Sequence, residues 1–171
     1  NPKKLVELID QSECTNWFSV PSMLIYLLAT KTLSAGKFKS IKSIAFGGEG
    51  FPKKQLQKLF NLFNATAKLV NVYGPTECTC ICSSLIVEEE VFEDMNSFSP
   101  LGKIAPNFSF YIDPITENEP NEGELCLLGP NVGLGYHNDP ERTAKAFVQH
   151  PNKGYSCTMY KTGDLVYLDT D

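Results

Sequence analysis

At 171 residues and 42% hydrophobic content, the chain has room for one domain, or parts of two, around an ordinary core. Its net charge of −5 and pI near 5.1 argue against the basic footprint of a nucleic-acid binder. No apolar run approaches the roughly 20 residues that span a bilayer, and no signal peptide opens the chain.

Charge is uneven: residues 1–97 hold 10 Lys+Arg and 10 Asp+Glu, residues 98–171 hold 5 and 10, so the whole deficit lies in the second part. The chain starts at Asn1 rather than Met and stops at Asp171 amid strand-like sequence, which suggests an excised piece of a longer protein.

The first half alternates helix and strand. Pro2 opens a short helix with Leu5, Leu8 and Ile9 inward. Residues 14–20 read as a strand, and Pro21 suits the first turn of a helix holding Met23, Leu24, Leu27 and Leu28. Residues 43–46 form a short strand ending in Gly47-Gly48-Glu49, where glycine lets a ligand approach the backbone or simply makes a turn. Pro52 starts a helix with Leu56, Leu59, Phe60 and Phe63 at helical spacing. The alternation implies α/β architecture: a helix-covered, mostly parallel sheet over residues 1–97.

Residues 68–86 read as a buried strand, a tight turn and a second strand. Gly74 and Pro75 turn the chain sharply. Tyr73, Thr76 and Glu77 then stand at a strand end, where open α/β sheets place ligands. An aromatic face, a hydroxyl and a carboxylate suit a nucleotide with its metal: the ring can stack on a base, the hydroxyl can donate to phosphate, and the carboxylate can share Mg²⁺ with phosphate. The same residues also suit a plain strand–turn–strand with a Gly-Pro corner.

Six cysteines fall at positions 14, 78, 80, 82, 126 and 157, with no C-x-x-C pair. Cys78, Cys80 and Cys82 alternate, so on a strand they would share one face. They could bind a soft metal, but small apolar side chains in a reduced cytoplasmic protein is the simpler reading.

The acidic stretch 88–99 marks a boundary, and residues 98–171 change period. Phe108, Phe110 and Ile112 alternate on a half-buried strand, residues 114–122 are a loop, and residues 123–129 a strand. Asp139 caps a helix with Pro140 first, Glu141 in the first turn, and Ala144 and Phe147 inward. Residues 160–168 return as strand around Thr162-Gly163-Asp164. Short strands with Gly-rich turns suggest a small distorted β-barrel or sandwich.

The segments NVYGPTE (71–77), GELCLLGPNVGLGYHNDPERTAKAF (123–147) and YKTGDL (160–165) resemble three consecutive core motifs of the adenylate-forming enzymes, in order and spacing. GGEG (47–50) and SVPSML (19–24) are also in place, so the likeness covers nearly the whole chain. It looks most like adenylation domains of nonribosomal peptide synthetases and D-alanine-activating ligases. The resemblance implies the central and later part of the large N-terminal subdomain, and an enzyme that activates a carboxylic acid with Mg·ATP. An acyl-adenylate forms, pyrophosphate leaves, and a phosphopantetheine thiol on a carrier-protein domain, or CoA, takes the acyl group.

It further implies that Tyr73 stacks on adenine, Asn71 faces its amino edge, and Gly48 and Glu49 border that site. Thr76 contacts phosphate, Glu77 holds Mg²⁺, and Asp164 accepts from the ribose hydroxyls. Phe18, Ala45, Gly47, Val72, Cys80 and Ile81 match the acyl pocket, whose apolar or small wall suits an amino acid with a modest uncharged side chain. The family's phosphate loop, its Asp for an α-ammonium and its C-terminal lysine fall outside these residues, so this chain alone should be inactive. Leu134 and His137 stand where many relatives have Arg and Leu; His137 reads as a surface loop residue. Two other readings stay open: an acyl-CoA or aryl-acid ligase, and a non-catalytic nucleotide-binding or scaffolding domain, which would be expected to lose Glu77 or Asp164.

Overall fold

The computed structural model describes residues 1–34, 36–116, 118–151 and 157–169. They divide into two compact units, one of residues 1–73 and 83–103, the other of residues 74–82 and 104–171.

Unit 1 alternates α1 (Pro2–Gln11), β1 (Asn16–Ser19), α2 (Pro21–Ala29), β2 (Ser43–Gly47), α3 (Lys53–Phe63), β3 (Lys68–Tyr73) and β4 (Ser83–Ile86). The strand order is β1-β2-β3-β4, continued by the two-residue β5 (Lys103–Ile104). β1, β2 and β3 run parallel and β4 antiparallel to β3, so the sheet is mostly parallel and helix-covered, as the alternation implied.

Its helices start where local chemistry allows. Asn1 Oδ1 accepts from Lys3 N at 3.1 Å, and Pro2 needs no amide partner at the first position. Leu24, Leu27, Leu56, Leu59 and Phe63 pack with Ile44, Phe46 and Leu69 in one buried cluster. Each such side chain contributes about 1.5–3 kcal/mol, and Leu56→Ala would cost about 2–5 kcal/mol.

Three inward assignments need correcting. In α1, Val6 is buried and Leu8 is 53% exposed, because the buried stripe runs through Leu5, Val6 and Ile9. In α2, Met23 lies one position off the Leu24–Leu27 stripe and is exposed. Ala144 is exposed on α4 (Pro140–Ala146), whose half-buried positions are Thr143 and Ala146.

Unit 2 holds β6 (Ser109–Pro114), β7 (Glu122–Leu128), α4, β8 (Phe147–Gln149) and β9 (Thr158–Tyr167). Its four strands form an antiparallel sheet in the order β6-β7-β9-β8, the form taken by the expected small barrel. Cys126, Leu128 and Met159 are buried on one face with Tyr111 and Val148 against them. The caps of α4 are as the sequence suggested: Asp139 Oδ1 accepts from Arg142 N at 3.0 Å, with Pro140 following. Phe147 is half-buried, as its inward assignment required, though it already begins β8.

Candidate functional site

Residues 74–82, in unit 2, do not continue as strand after the turn. Thr76–Cys78 is a single 3₁₀ turn, closed by Cys78 N donating to Pro75 O at 3.0 Å. Thr79 and Cys80 follow with φ of 60° and 72°, two successive left-handed residues that interrupt the alternation expected of Cys78, Cys80 and Cys82. Cys78 and Cys82 are buried while Cys80 is exposed, so the three do not share a face. Burial pushes the Cys78 thiol up to about 12 and the Cys82 and Cys126 thiols up to about 11, keeping them protonated. Gly74 allows this path, since a Cβ there would overlap the Cys80 carbonyl.

The turn is pinned to the segment that precedes α4. Gly133 N donates to Glu77 O at 2.8 Å, and Thr79 Oγ1 donates to Asn131 O at 3.1 Å. The half-buried Glu77 side chain is then met by Tyr136, whose hydroxyl donates to Oε1 at 2.6 Å. Tyr136 is itself held on several sides. Its N–H donates to Thr143 Oγ1 at 2.8 Å, its ring meets Phe147 edge-on at 5.5 Å, and the Arg142 guanidinium lies 4.1 Å over its face. The Tyr136 hydroxyl holds the Glu77 carboxyl below its usual range, against burial and with help from its own backbone N–H, Tyr160 and Arg142. Burial, with Tyr136 and Glu77 adding to it, pushes the Tyr160 hydroxyl up.

Such a carboxylate fits Mg²⁺. Magnesium is usually bound by one or two carboxylates plus substrate phosphates, without a protein cage. Glu77 is ionised, oriented through one oxygen and partly exposed, and the exposed Thr76 precedes it. Among the described residues no group of three or more His, Cys, Asp or Glu could form a cage.

Asp164, also in unit 2, is exposed in β9, and its N–H donates to Thr162 Oγ1 at 3.1 Å. Nearby in β9, Lys161 places Nζ 2.7 Å from Asp113 Oδ2 and 3.0 Å from Glu124 Oε2. Asp113 first and Glu124 second hold its ammonium above the usual lysine range. Cys80 and Ile81 are exposed, as are Leu134 and His137.

In unit 1 the strand register groups four residues on one face. Phe18 is level with Ala45, and Gly47 with Val72, on the face opposite the Ile44–Phe46–Leu69 core. Phe18 is 59% exposed. Asn71 and Tyr73 alternate to the other face. Asn71 is buried and donates through Nδ2 to Pro100 O at 2.7 Å. Tyr73 is half-buried. Glu49, beside Gly48, accepts from Ser22 N at 2.9 Å and Ser22 Oγ at 3.0 Å, capping α2, which has no cap from its own N-cap residue Val20.

Sequence reading missed Tyr136, Arg142 and the Asp113–Lys161–Glu124 group as site-related residues. Tyr136 and Arg142 lie inside GYHNDPERT, a visible signal, but only the folded chain brings Tyr136 to Glu77, 59 positions away.

Residues 1–137 match the family model described as AMP-binding enzyme. The chain belongs to the AMP-binding enzyme family. Among curated members, it is 33% identical over 172 residues to a D-alanine--D-alanyl carrier protein ligase of Bacillus cereus, covering 98% of this chain and 33% of that protein. It is 32% identical to the protein of the same description from Bacillus anthracis, with the same coverage. The chain thus spans about a third of the length of these relatives. Among solved structures, it superposes on PA1221, an NRPS protein containing adenylation and PCP domains, with a TM-score of 0.82 at 24% identity, over 99% of this chain and 34% of that one. The Klebsiella oxytoca NpsA N-terminal subdomain in complex with 3-hydroxyanthranilyl-AMSN gives a TM-score of 0.80 at 22% identity, over 99% of this chain and 43% of that one. Both structures share the fold.

Proposed function

We propose that this chain is part of an ATP-dependent ligase that activates a carboxylic acid as an acyl-adenylate and passes it to a phosphopantetheine thiol. The observation that carries the reading is the Glu77 carboxylate, ionised and fixed by Tyr136 on a family-matched turn. Bound Mg²⁺ would neutralise phosphate charge there.

The chain's own residues take the following parts. Thr76 donates to a phosphate oxygen, and Glu77 presents its carboxylate beside it. Asp164 accepts from the two ribose hydroxyls, having two oxygens for two vicinal donors. Tyr73 stacks on adenine. Asn71 has one amide hydrogen on Pro100 O, so it would reach the adenine edge with its second hydrogen or its oxygen. Glu49 has its carboxylate on Ser22, so Gly48 and Glu49 would border adenine through backbone.

In this reading Phe18, Ala45, Gly47 and Val72, which share one face of the unit 1 sheet, are assigned to the acyl group, and Cys80 and Ile81 are assigned to it by the family motif. None carries a charge, which supports an amino acid with a small or apolar side chain. The 33% identity to a D-alanine--D-alanyl carrier protein ligase supports the same substrate class and a carrier-protein acceptor over CoA. No helix among the described residues is long and apolar enough to cross a membrane, and we place the enzyme in the cytoplasm.

ATP–pyrophosphate exchange by the full-length protein with a panel of amino, aryl and fatty acids tests this. Stimulation by small apolar amino acids is expected. Stimulation by aryl or fatty acids alone would move the protein to the acyl-CoA or aryl-acid ligases, and no stimulation by any acid would favour a non-catalytic domain.

A further inference from the structure

We infer that Glu124 and Lys161 are positioning residues that set the backbone of the loop presenting Asp164; the inference rests on the ribose role proposed for Asp164. The antiparallel register of β7 and β9 breaks at this point. Cys126 is level with Lys161 and Glu124 with Leu165, so Leu125 alone stands opposite Thr162, Gly163 and Asp164. Two extra residues must leave the ladder, and the chain bulges outward. Gly163, at φ +78°, takes a left-handed conformation that glycine adopts without a Cβ clash.

A bulge of this size loses ladder hydrogen bonds, and side chains replace them. Thr162 Oγ1 donates to Leu125 O at 2.8 Å and accepts from Asp164 N at 3.1 Å. Gly163 N donates to Glu124 Oε1 at 2.9 Å. The other oxygen of Glu124, Oε2, lies 3.0 Å from Lys161 Nζ. One carboxylate therefore joins the residue before the bulge to the backbone at its centre, next to Asp164.

Lys161 is needed to keep that carboxylate in place. Asp113 and Glu124 are level with each other on β6 and β7, and like charges directly opposite repel. Lys161 Nζ contacts both, at 2.7 and 3.0 Å. Without it Glu124 would turn toward water and release Gly163 N. All three side chains are 24–42% exposed, and ion pairs so placed add little to folding stability. The network's larger effect is on the path of residues 162–164.

The test is equilibrium binding of ATP and 2′,3′-dideoxy-ATP to the full-length protein. The preference for ATP is the readout, because a general loss of stability would not move it selectively. Asp164→Ala should reduce the preference by roughly 100-fold, as expected for two hydrogen bonds to a charged group. Lys161→Met and Glu124→Ala should each reduce it by about 10-fold, the scale of a misplaced rather than absent acceptor. Lys161→Arg should restore it, and neither loss should add to that of Asp164→Ala in the double variants. If Lys161→Met does not fold, Glu124→Gln, which keeps an acceptor for Gly163 N but loses the attraction to Lys161, should still show a partial loss. Asp164→Ala removing the preference while all Glu124 and Lys161 variants keep it would overturn this inference and leave the ribose reading intact. An Asp164→Ala protein that keeps the preference would overturn the ribose reading, and the inference with it.

Discussion

Tyr136→Phe removes one hydroxyl and leaves the ring. The Arg142 guanidinium at 4.1 Å and the Phe147 edge at 5.5 Å both keep their partner. What is lost is the 2.6 Å donation to Glu77 Oε1, together with a long 3.5 Å contact to the Tyr160 hydroxyl. A hydrogen bond to a charged group contributes about 1.5–3 kcal/mol, and partial exposure of Glu77 places the expected loss near the lower end, about 1.5 kcal/mol. The pH dependence has a defined sign. Glu77 has its folded pKa lowered from 4.5, chiefly by Tyr136, so its contribution to stability is present above 4.5 and is lost as pH falls through the folded value. The variant should therefore melt below wild type at about pH 7, with the gap narrowing below about pH 4.5. Thermal unfolding of the full-length wild type and variant across that range measures it. A gap that stays constant into acid, or no gap at neutral pH, would refute the assigned hydrogen bond.

In the full-length enzyme, Glu77→Gln should lower ATP–pyrophosphate exchange by roughly 10²-fold, as for loss of one preorganised charge contact, while its melting temperature at about pH 7 falls no further than that of Tyr136→Phe, since the amide oxygen still accepts from the Tyr136 hydroxyl; wild-type rates across a Mg²⁺ titration would count against the metal role. Glu49→Ala should cost about 1 kcal/mol, since it uncaps α2 at Ser22, and unfolding midpoints would detect it. Gly74→Ala should destabilise the protein by more than about 2 kcal/mol, because the new Cβ meets the Cys80 backbone and not a movable side chain; soluble expression at wild-type yield and stability would contradict the turn geometry. The 171-residue chain by itself should show no exchange above background.

Legibility followed the range of the forces involved. The Asp139–Pro140 start of α4 and the Leu56–Leu59–Phe60–Phe63 stripe of α3 depend on neighbours within a few residues, and both were readable. The α1 stripe was misread because Leu5, Leu8 and Ile9 fit helical spacing as well as Leu5, Val6 and Ile9 do; the packing against the sheet decides between them. Residues 78–82 carry β-compatible side chains, yet Thr79 and Cys80 take left-handed conformations that no local signal marks. The candidate site was legible as motifs, but not as contacts. Nothing in the sequence pairs Tyr136 with Glu77, 59 residues apart, or Lys161 with Asp113, 48 apart, because those approaches are made by strand order and by the 131–133 segment.

Oxygen tracing tests the proposed reaction, in which the carboxylate attacks the α-phosphate of ATP. The full-length protein is given its preferred acid with both carboxylate oxygens labelled with the heavy isotope, together with ATP, Mg²⁺ and a phosphopantetheine thiol. Adenylation makes a bond from one labelled oxygen to the α-phosphorus, and thiol attack on the carbonyl then breaks the carbon–oxygen bond. AMP carrying one labelled oxygen and unlabelled pyrophosphate are expected. Label in inorganic phosphate with ADP as the other product, or thioester formed without label in AMP, would contradict it.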